Sequence, residues 1–132
     1  YLDVADGRSA DHANIQQWAY NGFASQKYKI VSNGDGYYYI LTGASNYTKA
    51  LDVAMGSAAD GTNIVQYSLN KGTNQLFKLS KQSDGTYAVL SKASSCKSGL
   101  DVYDWSRDSG GNINQWNFWG GDCQKWILAA VK

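Results

Sequence analysis

The chain has 132 residues, 43% of them hydrophobic, and a net charge of +1 from 12 basic and 11 acidic side chains. That length suits one domain spanning residues 1–132. The balanced charge excludes the basic footprint of a nucleic-acid binder, and no apolar run approaches the roughly 20 residues a membrane helix requires. Every acid is Asp and none is Glu, with ten Tyr and five Trp, a composition weighted toward strands and turns rather than helices.

In chain order the first predicted element is a short strand at Leu2-Asp3-Val4, and the second lies at Ile15–Trp18. A third falls at Gln26-Lys27-Tyr28, where Tyr28 and Ile30 alternate with Lys27 and Lys29 at the strand period of two. A fourth covers Tyr38–Ile40, directly after Asp35-Gly36, a strong hairpin signal. The series then begins again. Leu51-Asp52-Val53 and Leu100-Asp101-Val102 follow Leu2-Asp3-Val4 at a spacing of 49 residues (51−2 and 100−51), and Ile64 and Ile113 follow Ile15 at the same interval. Gln75-Leu76-Phe77 and Gln124-Lys125-Trp126 keep the third element. Residues 2–49 and 51–98 share 19 identities in 48 ungapped positions, too many at one fixed spacing for coincidence.

The chain is therefore a threefold tandem repeat with units at about 1–49, 50–98 and 99–132. Four short strands repeated three times, with no helical period, predict an all-β closed barrel of threefold pseudo-symmetry, since closure removes exposed edges. Its core should join Ile15, Ile64 and Ile113 to Tyr28, Phe77 and Trp126. The third unit is 15 residues short and lacks the Asp-Gly turn and the strand after it. The missing first strand is expected to precede Tyr1, which would leave Trp126–Val131 as an unpaired edge.

Three Leu-Asp-Val segments, each followed by Ile-x-Gln-Trp/Tyr and Gln-x-aromatic, resemble the ricin B-type β-trefoil lectin family. The resemblance covers essentially the whole chain and is strongest to bacterial family-thirteen carbohydrate-binding modules. It implies a β-trefoil that binds sugar without transforming it, and it gives Asp3, Asp52 and Asp101 the role of accepting hydrogen bonds from adjacent sugar hydroxyls. A turn-capping Asp is the competing reading, but it leaves unexplained why an acid stands between two apolar residues three times over. The resemblance also suggests Asn21, Asn70 and Asn74 as donors to a sugar, with turn formation as the alternative. Trp119 stands at the aligned position in the third unit.

Trp18, Tyr67 and Trp116 each lie three residues after a core Ile, so strand alternation turns them to the opposite face, where a ring can carry the apolar face of a sugar. The alternative is a place in the core. Gln26, Gln75 and Gln124 read as structural amides that tie adjacent strands. Cys96 and Cys123 lie in adjacent segments of the inferred fold, so a disulfide between them is expected over two free thiols, and with it a secreted protein.

One His and two Cys cannot build a metal cluster, and no phosphate-binding loop or nucleophile elbow occurs. A glycosidase without Glu needs two Asp about 5–9.5 Å apart, whereas the repeated acids fall one per unit. The sequence thus predicts no enzyme, no cofactor and no metal. The resemblance implies a carbohydrate-binding domain, fused in its native protein to a secreted polysaccharide-degrading enzyme, with xylan, galactan, arabinan or galactose-type sugars as ligands. The alternatives are a free-standing lectin or toxin-binding subunit and, from another class, a trefoil for protein–protein contact, which would lack the thrice-placed Asp. Counting side-chain donors ranks the sites as repeat 2, then 1, then 3.

Overall fold

A computed structural model describes residues 1–131. β1 (Leu2–Val4) and β2 (Ile15–Gln17) form a two-stranded antiparallel sheet. Eight further strands make up the second sheet: β3 (Tyr28–Ser32), β4 (Tyr38–Thr42), β5 (Lys49–Val53), β6 (Ile64–Ser68), β7 (Phe77–Lys81), β8 (Tyr87–Ser91), β9 (Ser98–Val102) and β10 (Ile113–Asn117). Among the described residues the only helical pieces are three-residue 3₁₀ turns.

The repeat is visible in the strand register. Each Leu-Asp-Val strand pairs antiparallel with the Ile strand after it, so that Val4 faces Ile15, Val53 faces Ile64 and Val102 faces Ile113. A second hairpin follows in the first two units, β3 with β4 and β7 with β8, turning at Asp35-Gly36 and Asp84-Gly85. These glycines adopt φ of +90° and +85°, a region open to Gly at no steric cost, and the carboxylates of Asp35 and Asp84 accept the backbone N–H two residues on.

Two expectations need correction. The third predicted strand begins only at the aromatic residue, because Gln26, Gln75 and Gln124 close 3₁₀ turns (Ala24–Gln26, Thr73–Gln75, Asp122–Gln124). In the third unit that strand shrinks to a single bridge between Trp126 and Tyr87, and residues 127–131 belong to no strand.

The core joins Ile15, Ile64, Ile113, Phe77, Leu51, Leu100 and the three paired valines, all buried. Burying one such side chain fully is worth roughly 1.5–3 kcal/mol, so this cluster is the main source of cohesion. Tyr28 and Trp126 pack against it only half-buried. The difference has a local cause. Phe77 is flanked on both sides, by Ser91 of β8 across its hairpin and by Tyr38 on β4 of the preceding unit, whereas among the described residues Tyr28 has only its hairpin partner and Trp126 only the bridge to Tyr87. Tyr28 Oη instead donates to the Ser25 carbonyl (3.3 Å), and Trp126 Nε1 donates to the Leu100 carbonyl (3.2 Å).

Polar side chains knit the units together. Asn14, Asn63 and Asn112 form a closed ring, each Nδ2 donating to the next Oδ1 at 2.8–2.9 Å. Gln17, Gln66 and Gln115 each reach into a neighbouring unit, donating to the carbonyls of Ser106 and Asp108, Arg8 and Ala10, and Ser57 and Ala59. A buried amide held this way fixes loop position, because any displacement strands buried polar groups.

Candidate functional site

Each unit sets its Asp between a Leu and a Val of one strand, both packed toward the core. Alternation sends the carboxylate to the opposite face, where it lies under the 3₁₀ turn that ends in Gln. Asp3, Asp52 and Asp101 are buried. Gln26, Gln75 and Gln124 donate to their Oδ2 atoms at 3.3, 2.9 and 2.9 Å. The same amides donate to the carbonyls of Ala19, Ser68 and Asn117 and accept from the backbone N–H of Asn21, Asn70 and Trp119. One Gln therefore positions both the acid and the loop beside it.

The residue before each Gln differs. In repeat 2, Asn74 Nδ2 donates to both oxygens of Asp52 at 3.0 Å, so its amide is committed to the carboxylate. In repeat 1, Ser25 takes a weaker share in holding Asp3. In repeat 3, Cys123 offers only a long thiol contact of 3.8 Å to Asp101. Burial pushes all three carboxyls above their ordinary value, and the Gln hydrogen bonds pull them partly back.

Trp18 and Trp116 are half-exposed rather than in the core, and Tyr67 is partly exposed. Each is backed from the neighbouring unit by a residue of one repeat position: Gly110 under Trp18, His12 against Tyr67, Gly61 under Trp116. A Cβ on either glycine would stand 3.7 Å from the indole, and both glycines have positive φ. His12 meets Tyr67 edge-on, with centroids 5.1 Å apart. The shared position is plain in the repeat, but its contact crosses between units and leaves no local pattern.

Asn21 and Asn70 both form Asx turns, their Oδ1 accepting from the N–H of Phe23 and Gly72. Among the described residues their Nδ2 groups have no partner, which leaves them able to donate. Trp119 folds over Gly121, where a Cβ would fall 2.1 Å from the indole.

Two open clefts result. One of about 460 Å³ is lined by Asp3, Asp6, Trp18, Asn21, Phe23 and Ser25, and one of about 300 Å³ by Asp101, Tyr103, Asp104, Trp105, Trp116 and Trp119. Asp6, Phe23, Tyr103, Asp104 and Trp105 were not among the residues singled out from the sequence. The signal for Asp6 and Asp104 was their common place three residues after the repeated Asp, which repeat 2 breaks with the fully exposed Met55.

The expected disulfide is not present. Cys96 and Cys123 are free. Cys96 lies in the turn between β8 and β9, with its sulfur 3.5 Å from Tyr37 Oη, while the sulfur of Cys123 lies 3.8 Å from Asp101 Oδ2. The two thiols thus face different partners. Among the described residues no cluster of His, Cys, Asp or Glu could hold a metal ion, and no helix is long and apolar enough to cross a membrane.

A trefoil of three units, each with a Gln-held buried acid and an aromatic ring at least partly open to solvent, defines a protein of the lectin-like β-trefoil class. The chain belongs to the ricin-type β-trefoil lectin domain-like family, which matches residues 1–67 and 46–116. It is 38% identical to a designed threefold-symmetric protein, ThreeFoil, over 98% of this chain and 90% of that one, with a TM-score of 0.93. It is 41% identical to part of an exo-β-1,3-galactanase from Clostridium thermocellum, with a TM-score of 0.91, covering 98% of this chain but only 27% of the galactanase. The C-terminal half of an earthworm R-type lectin, solved with GalNAc, shares the fold at 20% identity and a TM-score of 0.69, over 96% of this chain and 86% of that one. No curated protein sequence matches significantly.

Proposed function

We propose that this chain binds carbohydrate non-catalytically and serves as the targeting module of a secreted enzyme that degrades a plant-wall polysaccharide. The observation that carries this reading is the pairing, in each of the two clefts, of a Gln-held carboxylate with a half-exposed indole, Asp3 with Trp18 and Asp101 with Trp116. A carboxylate fixed on one side has lone pairs left for two neighbouring hydroxyls, and the ring beside it covers the apolar face of the same sugar. Likeness to part of a galactanase supports a polymer ligand, and we take galactan ahead of arabinan and xylan on that ground.

Repeats 1 and 3 carry most of the binding, because their clefts are formed and their acids less fully occupied, while repeat 2 commits Asn74 to Asp52. Each open cleft binds sugar at roughly millimolar to micromolar affinity, because water competes for every hydroxyl. Polymers bind more tightly through several sites at once. The test is calorimetric titration with oligosaccharides of the three polymers, on the parent protein and on Asp3→Ala, Asp52→Ala and Asp101→Ala. Asp3→Ala and Asp101→Ala should each remove one site. No heat with any of the three sugars overturns the proposal.

A further inference from the structure

Three positions around the repeated Asp hold small residues in repeats 1 and 2 and large aromatic residues in repeat 3. Ala5 and Ala54 become Tyr103, Gly7 and Gly56 become Trp105, and Asn21 and Asn70 become Trp119. All three new rings line one cleft, together with Asp101, Asp104 and Trp116. Trp105 and Trp119 stack at 4.9 Å between centroids and 34° between planes. They remain 61% and 51% exposed, so the stack is not a buried core feature. Trp105 also adopts φ of +56° where the other units have Gly at +61° and +64°, a conformation unfavourable for a bulky side chain. A ring held open to solvent at a strained backbone position is poor for stability and well placed to meet a ligand.

From this we infer that the Trp105–Trp119 pair makes repeat 3 a two-ring site that takes two consecutive sugar units, whereas Trp18 and Phe23 line the repeat 1 cleft without forming such a pair and hold one. This rests on the proposed carbohydrate binding and gives repeat 3 its own ligand class. Asp101 and Trp116 form the acid–ring pair common to all units and hold the first sugar. The Trp105–Trp119 stack forms a second wall of the same cleft, and Asp104 adds a second carboxylate beside it. The second sugar lies with its apolar face on this wall and a hydroxyl directed to Asp104. Replacing the Asn of the other units with Trp119 removes an amide donor and adds ring area, so recognition moves from single hydroxyls to an extended apolar face.

The experiment uses indole N–H signals in nitrogen-15-edited NMR spectra, with Trp18 reporting repeat 1 and Trp116 and Trp119 reporting repeat 3. The protein is titrated with galactose against β-1,3-galactobiose, and with xylose against xylobiose. The disaccharide should bind repeat 3 about tenfold more tightly than its monosaccharide, the scale of one added ring contact, and repeat 1 no more than about twofold. Trp105→Gly with Trp119→Asn, which restores the residues of the other units, should bring repeat 3 down to the repeat 1 ratio and leave the Trp18 titration unchanged. Trp105→Ala alone is the milder variant and should give an intermediate ratio. Equal ratios at both repeats, or an undiminished ratio in the variants, overturn the two-ring site while leaving carbohydrate binding intact. No shift at either repeat with any of the four sugars overturns the carbohydrate reading and this inference with it.

Discussion

Repeats 2 and 3 share a backbone and differ in what surrounds the carboxylate. In both, a buried Gln donates to Asp Oδ2 at 2.9 Å and fixes the same loop carbonyl at 3.0 Å. In repeat 2 the neighbouring Asn74 then takes up both carboxylate oxygens, and Met55 stands fully in solvent where the other units have Asp. In repeat 3 the neighbour is a distant thiol, and four aromatic rings frame the acid. Threefold symmetry of the backbone thus does not carry through to the chemistry. The positions that hold the frame stay constant, while those that surround the acid at the surface diverge.

The largest effect should come from breaking what the two repeats share. Gln75→Leu and Gln124→Leu each strand a buried carboxylate oxygen, a loop carbonyl and a backbone N–H, so each should cost about 2–4 kcal/mol in urea unfolding. Similar losses in the two variants would sharpen the picture of a common frame. A loss well under 1 kcal/mol in either would break it.

Acid should separate the two repeats next. A carboxyl raised in the folded state contributes stability that is full below its ordinary value of 3.8 and lost as pH climbs through the raised value. At neutral pH the three buried acids therefore work against the fold, and acidification relieves them. Asp84 has the opposite sign. The Thr86 hydroxyl, its N–H and Lys125 hold it down at about 2, so its contribution persists above 3.8 and fades only as pH falls toward 2. A window above pH 3.8 follows in which sugar binding, which needs the charged acceptor, is lost while thermal stability holds. Gln75, Asn74 and the nearby His12 favour the charged form of Asp52 against Asp11, whereas Gln124 and only the distant Cys123 thiol favour that of Asp101 against Asp60. With two amide bonds at 3.0 Å on Asp52 and only a thiol at 3.8 Å on Asp101, the Asp101 carboxyl should titrate at a higher pH than that of Asp52 in carbon-detected NMR spectra. The reverse order would show that Asn74 does not govern the difference.

A reciprocal exchange tests this more finely. Cys123→Asn should supply Asp101 with the amide that Asp52 has and lower its carboxyl pKa, while Asn74→Cys should raise that of Asp52. Carbon-detected titration of the two carboxyls reads both changes. If the exchange leaves the order untouched, burial depth and not the neighbouring amide sets the difference.

Much of this was legible before any coordinates. The 49-residue period locates all three Leu-Asp-Val strands, the buried Ile triplet, and the acids and rings of each unit, because residues a fixed distance apart in a repeat must occupy equivalent places. What could not be read were contacts between units. Gly61, Gly110 and His12 back rings that lie one unit away, and Gln17, Gln66 and Gln115 bridge to loops about 50 to 90 residues distant. Their spacing marks them as repeated but does not say what they touch. Asn74 was counted as a donor to sugar, yet its amide turns to Asp52, an outcome set by side-chain geometry within one turn. Tyr103 and Trp105 were passed over because they break the pattern that identified everything else.

The smallest effect concerns the two cysteines, both in the unit that departs most from the others. Closing a loop of 27 residues (123−96) with a disulfide would stabilise the fold by roughly 3 kcal/mol in the chain-entropy account, or on the order of 10 °C in melting temperature for a chain of this size. The thiols instead lie beside different partners, Tyr37 for Cys96 and Asp101 for Cys123. Melting under reducing and non-reducing conditions should therefore agree within about 2 °C, and both thiols should react with a thiol reagent after unfolding without reductant. Cys96→Ser, which alters only a half-buried turn, should stay within about 0.5 kcal/mol of the parent. A melting temperature that drops by close to ten degrees under reductant would mean the two sulfurs are joined. Repeat 3 would then be a cross-linked unit, and Cys123 could no longer donate to Asp101, which would widen the contrast with repeat 2.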